Sequence, residues 1–169
     1  MKTYPIVVGF VLTIFVFVFS GCFGECWNKP GSKDYRELVA TIEGSNAVAV
    51  ERFSQLPVDQ QITVALYARD CQDDPRIAPY LIMDGEAKIP TIVERIKTEK
   101  KLWDKDELAL VLISINTKCK CITRDSDVIR TLETVGDEMD ADRDIPADYT
   151  YKQIYKGTVK ALKEQLERK

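Results

Sequence analysis

Five cysteines are the residues of this 169-residue chain whose type and spacing most directly imply chemistry: Cys22, Cys26, Cys71, Cys119 and Cys121. Thiols pair as disulfides, bind a metal as thiolates or stay reduced. Cys119 and Cys121 are separated by one residue, whereas thiolate zinc sites commonly space their ligands by two to four residues. The spacing therefore favours disulfides, with free thiols as the second possibility, and we expect no metal site.

Other common kinds of functional site are excluded or absent. The chain has no histidine, which excludes a histidine general base and any histidine metal ligand. Its net charge of −3 disfavours a general nucleic-acid binder, because such a protein needs a basic surface. The sequence contains no glycine-rich phosphate loop, nucleophile elbow or kinase signature. We therefore expect a non-enzymatic protein that has no catalytic residue and no cofactor.

An acidic run near the C-terminus superficially matches the start of a calcium loop, with Asp140, Asp142 and Asp144 at alternate positions. The match then fails, because Ile145 stands where glycine is required and Tyr151 where a bidentate glutamate belongs. The better interpretation is a solvated acidic segment.

Two weaker candidates are a carboxylate pair and a group of aromatic residues. Asp73 and Asp74 could serve acid–base chemistry of the kind glycosidases use, although surface charge is the default interpretation. Tyr149, Tyr151 and Tyr155 lie among lysines. They form either a binding face or, as we expect, a packed helix stripe with charges at its edge.

The N-terminus indicates where the chain is sent. Lys2 is the only charge among the first 24 residues, and an apolar run extends from residue 6 to residue 19. A short positive segment before an apolar stretch is typical of a secretory signal. These 14 residues are fewer than the ~20 that a membrane-spanning helix needs. A retained anchor is an alternative, since residues 3–24 carry no charge.

The apolar run ends at Phe19-Ser20-Gly21-Cys22. This segment resembles the lipobox of bacterial lipoproteins, Leu-(Ala/Ser)-(Gly/Ala)-Cys, and departs from it only at Phe19. The resemblance implies cleavage after residue 21, acylation of Cys22 and a lipid anchor in the bacterial cell envelope, facing the periplasm. Ordinary secretion with cleavage is the other alternative.

Three segments follow from this interpretation: a signal peptide over residues 1–21, a lipidated tether over 22–33 and an all-helical domain over 34–169. Gly24, Pro30, Gly31 and Ser32 break regular structure in the tether. Acylation of Cys22 would leave four thiols, enough for two disulfides in an exported domain.

The body is predicted to be all-α, because apolar residues recur at helical spacing and no segment alternates with period two. Pro57 and Pro90 are expected to open helices. Asp104 with Glu107 resembles a capping box, Asp125 is a second predicted cap, and residues 108–115 form a helix apolar on nearly every side, expected at the centre.

A weak internal repeat suggests how the helices pack. The segment Val50-Glu51-Arg52-Phe53 returns 43 residues later as Val93-Glu94-Arg95-Ile96, and residues 62–67 are echoed 46 residues later by residues 108–113. A period near 45 with helix pairs is similar to HEAT and armadillo repeats. The resemblance implies about three stacked antiparallel helix pairs, although chance similarity between amphipathic helices is the alternative. An irregular helical bundle is the corresponding alternative fold.

The repeat also predicts one disulfide. Cys71 follows the apolar helix of the first unit, and Cys119 follows that of the second. Stacked repeats place equivalent positions side by side, so we expect Cys71 to pair with Cys119 or Cys121. Cys26 would then pair with the remaining cysteine.

These features favour a cell-envelope lipoprotein that binds or scaffolds another protein, with the membrane contacted through its lipid and no nucleic-acid partner. A periplasmic immunity or inhibitor protein that neutralises a toxin or hydrolase is the alternative. A hydrolase that uses carboxylates alone is the third possibility.

Overall fold

A computed structural model describes residues 26–122, 125–145 and 150–168. These residues form eight α-helices and one short 3-10 helix, and no strand. The helices are α1 Ser32–Gly44, α2 Asn46–Ser54, α3 Val58–Gln72, α4 Ala78–Ile82, α5 Ile89–Thr98, α6 Leu102–Cys119, α7 Ser126–Ala141 and α8 Thr150–Glu167, with the 3-10 helix Gly85–Lys88 between α4 and α5. The predicted all-α class is confirmed.

Several helix starts lie where local chemistry predicts them. Pro57 directly precedes α3, and Pro90 lies in the first turn of α5, where a missing N–H costs nothing. Asp125 caps α7, since its Oδ1 accepts hydrogen bonds from the backbone N–H groups of Asp127 at 2.9 Å and Val128 at 3.4 Å. The predicted capping box at Asp104 is wrong: α6 begins two residues earlier, and its N-cap residue is Lys101.

Helix α6 lies at the centre of the fold, as its apolar sequence predicts. It packs against α4, the 3-10 helix, α5 and α7. Leu108 and Leu112 are fully buried on it. The glycine at position 85 permits the close approach of the 3-10 helix, because a Cβ there would lie 2.4 Å from Cγ1 of Ile115.

Two helical hairpins flank this centre. Helix α1 packs on α2, and α7 packs on α8. Helix α3 connects the first hairpin to the rest, since it contacts α1, α4 and α5. The backbone before α1 also touches α3: Gly31 has φ +86°, and a Cβ there would lie 2.8 Å from the carbonyl oxygen of Thr63. One continuous apolar core results.

Candidate functional site

The four described cysteines lie in two disulfides. Cys26 pairs with Cys71, with Cα atoms 5.6 Å apart, and Cys119 pairs with Cys121, with Cα atoms 5.1 Å apart. The predicted pairing of Cys71 with Cys119 or Cys121 is therefore wrong. Cys22, the predicted lipidation site, lies outside the described residues.

The reason for the different pairing lies in how α3 meets α6. Arg69, near the end of α3, binds Asp104, near the start of α6. Cys119 ends α6 fifteen residues later, about 22 Å along the helix axis at 1.5 Å per residue. The ends of the two apolar helices that are equivalent in the sequence repeat thus lie far apart. Cys71 is instead bonded to Cys26, which lies in the segment before α1.

The two disulfides constrain the chain very differently. The Cys26–Cys71 bond spans 45 residues and ties the segment that precedes α1 to the end of α3. A cross-link of this length stabilises a fold by about 4 kcal/mol in the chain-entropy model. The Cys119–Cys121 bond encloses a single residue, so its effect on the unfolded chain is much smaller.

A charged cleft, not predicted from the sequence, surrounds the side chain of Arg69. Arg69 donates to the Asp70 and Asp104 carboxylates at 2.6 Å each and to the Trp103 carbonyl at 2.6 Å. Lys101 approaches the same two carboxylates at 3.5 and 3.8 Å. The Trp103 ring stands beside them, 55% exposed. The long-range part of this network joins α3 to the start of α6, which no local pattern reveals.

Two carboxyl groups of α6 at this cleft are buried. Burial, together with the neighbouring Asp70 charge, raises the pKa of Asp104. Burial likewise raises the pKa of Asp106, whose Oδ1 accepts a hydrogen bond from the Tyr151 hydroxyl at 2.7 Å. Raised carboxyl pKa values are a property of general acids. Here, however, both groups already have protein partners, Arg69 and Tyr151.

The carboxylate pair predicted from Asp73 and Asp74 has a structural role. Asp73 ends α3 in the left-handed region, with φ 48°. Asp74 accepts hydrogen bonds from the Tyr35 hydroxyl at 2.8 Å and from the Arg76 side chain at 2.7 and 2.8 Å. These bonds lower the pKa of Asp74 to about 2, and the bonds from Arg76 contribute most.

The C-terminal acidic run also lies among protein partners. Asp140 binds Lys152 at 2.9 Å and also contacts Lys156, and Glu138 binds Lys105 at 2.7 Å. Asp140 belongs to α7, whereas Asp142 and Asp144 follow the end of that helix. No group of three or more potential metal-ligating side chains occurs in the described part of the chain.

The tyrosines of α8 pack inward, as the helix-stripe interpretation predicts. Tyr155 is buried and donates to the carbonyl of Leu132 at 2.9 Å. Tyr151 reaches Asp106, and Tyr149 lies outside the described residues. Lys152 departs from the expected pattern, because it is buried rather than solvated.

An open groove of about 590 Å³ runs between α7 and α8. Its floor contains Leu132, Tyr155 and Val159. The wall formed by α7 is acidic and contains Glu133 and Asp137. The wall formed by α8 is largely basic and contains Lys156, Lys160, Lys163, Glu164 and Glu167. Lys163 and Glu133 pair across the groove at 2.7 Å. An apolar floor between walls of opposite charge suits an amphipathic helix.

A second surface lies beside Cys26. Trp27 is 60% exposed, and the Arg36 guanidinium stacks 4.2 Å from the centre of its ring. Lys29 and Lys33 are exposed nearby in the chain. We call Trp27, Lys29, Lys33 and Arg36 the N-terminal surface.

Comparison with family models, with curated proteins and with solved structures finds no match to this chain. Within the described ranges, no helix has the length and hydropathy required to cross a membrane. The function of the chain has to follow from its own residues.

Proposed function

We propose that this chain is a lipid-anchored protein of the bacterial cell envelope whose helical domain binds another protein rather than catalysing a reaction. The Cys26–Cys71 bridge is the observation that carries this proposal. It lies four residues after the predicted lipidation site and links this region to the body of the domain.

The bridge supports an exported location, because disulfides persist in oxidising compartments and are rare in the cytosol. The N-terminus supports the same location from the sequence alone, because Lys2 precedes an uncharged apolar run that leads to Cys22. The two arguments are independent, since one concerns the first 22 residues and the other the folded body.

The bridge also limits how far the domain stands from its anchor. Cys26 follows Cys22 by four positions, and a fully extended chain spans at most ~3.6 Å per residue, or about 14 Å here. In the proposed arrangement the N-terminal surface lies near the bilayer. Tryptophan favours the membrane interface, and each cation near an anionic surface contributes about 1 kcal/mol.

The groove between α7 and α8 is the proposed site for the partner, and its proposed occupant is an amphipathic helix of that protein. The apolar floor accepts the apolar face of such a helix, and the acidic and basic walls select complementary charges along its two flanks. The charged cleft favours binding over catalysis. Arg69 already binds the Asp104 carboxyl group there, and Tyr151 binds that of Asp106.

The anchor is tested by intact-mass analysis of the full chain expressed in a bacterium with a lipoprotein pathway. We expect an N-terminus at Cys22 that carries a diacylglycerol, and recovery in the membrane fraction. The Cys22→Ser variant should lose the lipid. An unacylated chain that begins at Met1 and is recovered from the cytosol would contradict the proposal.

The binding site is tested with a photo-crosslinking residue at position 160 in the groove, and with the same residue at Lys100 as an exposed control. We expect a cross-link at 160 only, mapped by mass spectrometry to an amphipathic helix of the partner. With the photo-crosslinking residue kept at 160, reversing two other groove charges with Asp137→Arg and Lys156→Glu should abolish it, whereas Glu86→Arg and Lys100→Glu should not.

The identity of the cross-linked protein separates the two binding roles. A hydrolase or toxin that loses its activity when the chain binds would favour the immunity or inhibitor role. A structural envelope protein would favour scaffolding. Equal cross-linking at 160 and 100 would contradict the groove as the site.

A further inference from the structure

The Cys119–Cys121 bridge lies in a tightly held turn. Cys119 is the last residue of α6, and Lys120 has left-handed backbone geometry with φ 52°, which turns the chain back on itself. The turn is fixed beyond the bridge as well, because Ile122 is fully buried and its N–H donates to Asn116 Oδ1 at 3.1 Å. The bridge is therefore fixed by α6 before Cys119 and by the buried Ile122 after Cys121.

This bridge constrains the unfolded chain much less than the other one. It closes a loop around one residue, whereas the Cys26–Cys71 bridge joins segments 45 residues apart. Both of its cysteines are partly exposed at the edge of the core, and the adjacent residues Lys118 and Lys120 are exposed. The bond thus lies where an attacking thiol can reach it, and its loss opens a loop of only one residue.

The local donors favour a thiolate on Cys119. The backbone N–H of Cys121 points at the Cys119 sulfur, with an N–Sγ distance of 3.3 Å. Lys118 and Lys120, its exposed neighbours in the chain, carry positive charge at the end of α6, where the last carbonyls of the helix point. A stabilised thiolate is a good leaving group in thiol–disulfide exchange.

We propose that the Cys119–Cys121 disulfide oxidises a dithiol of a partner protein by thiol–disulfide exchange. A partner thiolate attacks Cys121 Sγ; the bond between the two cysteines breaks, and Cys119 leaves as the thiolate. The second partner thiolate then attacks the partner sulfur of the mixed disulfide and releases Cys121. Two electrons pass to the chain, the partner gains a disulfide, and the two protons of its thiols are transferred to Cys119 and Cys121.

The reaction is stoichiometric, with one disulfide passed per chain. It adds a redox step to the proposed binding role, and it does not depend on the lipid anchor or on the groove.

The first test measures how readily each bridge is reduced. The oxidised full-length chain in detergent is equilibrated with glutathione buffers, alkylated and cleaved at aspartate and glutamate, which separates Cys26, Cys71 and the Cys119–Cys121 segment into different peptides. Each bridge is characterised by the ratio of the squared glutathione concentration to the glutathione disulfide concentration at which it is half reduced. We expect this ratio to be at least tenfold lower for Cys119–Cys121 than for Cys26–Cys71. Equal or greater resistance to reduction would overturn the proposal.

The second test measures transfer itself. Mixed with a reduced dithiol peptide under anaerobic conditions, the chain should yield one oxidised peptide per molecule. The Cys119→Ser/Cys121→Ser variant should yield none, and the Cys26→Ser/Cys71→Ser variant should still yield one if circular dichroism shows it folded. Failure of the unsubstituted chain to oxidise the peptide would overturn the proposal.

The third test assigns the leaving sulfur. In Cys121→Ser the backbone N–H of residue 121 still faces Cys119. The Cys119 thiol of this variant should therefore react with iodoacetamide at neutral pH at least threefold faster than the Cys121 thiol of Cys119→Ser. The small loop makes both variants foldable, which circular dichroism checks. Equal rates, or a faster Cys121, would contradict the proposed direction of attack.

Discussion

The Tyr151 hydroxyl donates a 2.7 Å hydrogen bond to the buried carboxylate of Asp106 and so joins α8 to α6. The two residues are 45 positions apart in the chain. Asp106 is 6% exposed, and its burial raises its pKa, while the Tyr151 hydrogen bond acts in the opposite direction. Tyr151 thus supplies a hydrogen bond that water would otherwise have to donate to the Asp106 carboxyl group.

Removal of this donor should destabilise the fold. We expect Tyr151→Phe to lower the free energy of unfolding at neutral pH by about 1–2 kcal/mol, because a buried carboxylate loses a hydrogen bond. Urea titration followed by circular dichroism measures the change. The variant Asp106→Asn keeps a side-chain oxygen as acceptor without the charge and serves as the control. A Tyr151→Phe variant as stable as the unsubstituted chain would show that the hydrogen bond contributes nothing.

The same carboxyl group should make stability depend on pH in a definite direction. A folded pKa above the unfolded value, about 3.9 for aspartate, means that the group stabilises the fold below that value. This contribution is lost as the pH rises through the folded pKa. The stability of the unsubstituted chain relative to Asp106→Asn should therefore fall as the pH rises above about 4. A difference that stayed constant or grew with pH would contradict the raised pKa.

Asp74 should show the opposite dependence. Its pKa is lowered to about 2, so its contribution is present above the unfolded value and is lost as the pH falls towards 2. The carboxyl is 7% exposed, and the shift corresponds to about 2 kcal/mol. Asp74→Asn should cost about that much at pH 7 and almost nothing near pH 2. Urea titrations of both proteins at several pH values measure this, and a loss independent of pH would contradict it.

Local sequence signals predict the helices well, because their causes lie within a few residues. Asp125 caps α7 through its immediate neighbours, and Pro57 and Pro90 lie at helix starts that their rings favour. Asp104 shows the limit of such signals. Its side chain has the right type and spacing for a cap, yet Arg69 of α3, 35 residues away, is its partner.

The disulfide pairing could not be predicted for a related reason. Similar apolar segments around Leu66 and Leu112 suggest equivalent positions, but similarity does not specify how two helices are oriented. Because α3 ends beside the start of α6, Cys71 lies far from Cys119 and close to Cys26. The charged cleft and the groove depend on the same long-range arrangement, which helical periodicity does not encode.

Two glycines provide a matched test of packing. A Cβ at Gly85 would lie 2.4 Å from Cγ1 of buried Ile115, whereas a Cβ at Gly44 would meet nothing within 4 Å. Gly85→Ala should therefore destabilise the fold by about 1–3 kcal/mol. Gly44→Ala should leave it unchanged or stabilise it by up to about 1 kcal/mol, since alanine favours a helix. Thermal unfolding of the two variants measures the contrast, and equal midpoints would show that α6 and the 3-10 helix pack less tightly than described.

The two disulfides should differ as strongly in stability as in length. Cys26→Ala/Cys71→Ala should lower the free energy of unfolding by about 4 kcal/mol, because the unfolded chain regains the freedom of a long loop. Cys119→Ala/Cys121→Ala should lower it by about 2 kcal/mol or less, since the loop that it opens contains one residue. Urea titration of the oxidised proteins gives both values, with the unsubstituted chain in reducing buffer as a check on the combined effect. If the short bridge proved the more costly to remove, it would act as a structural clamp on the end of α6 rather than as an exchangeable bond.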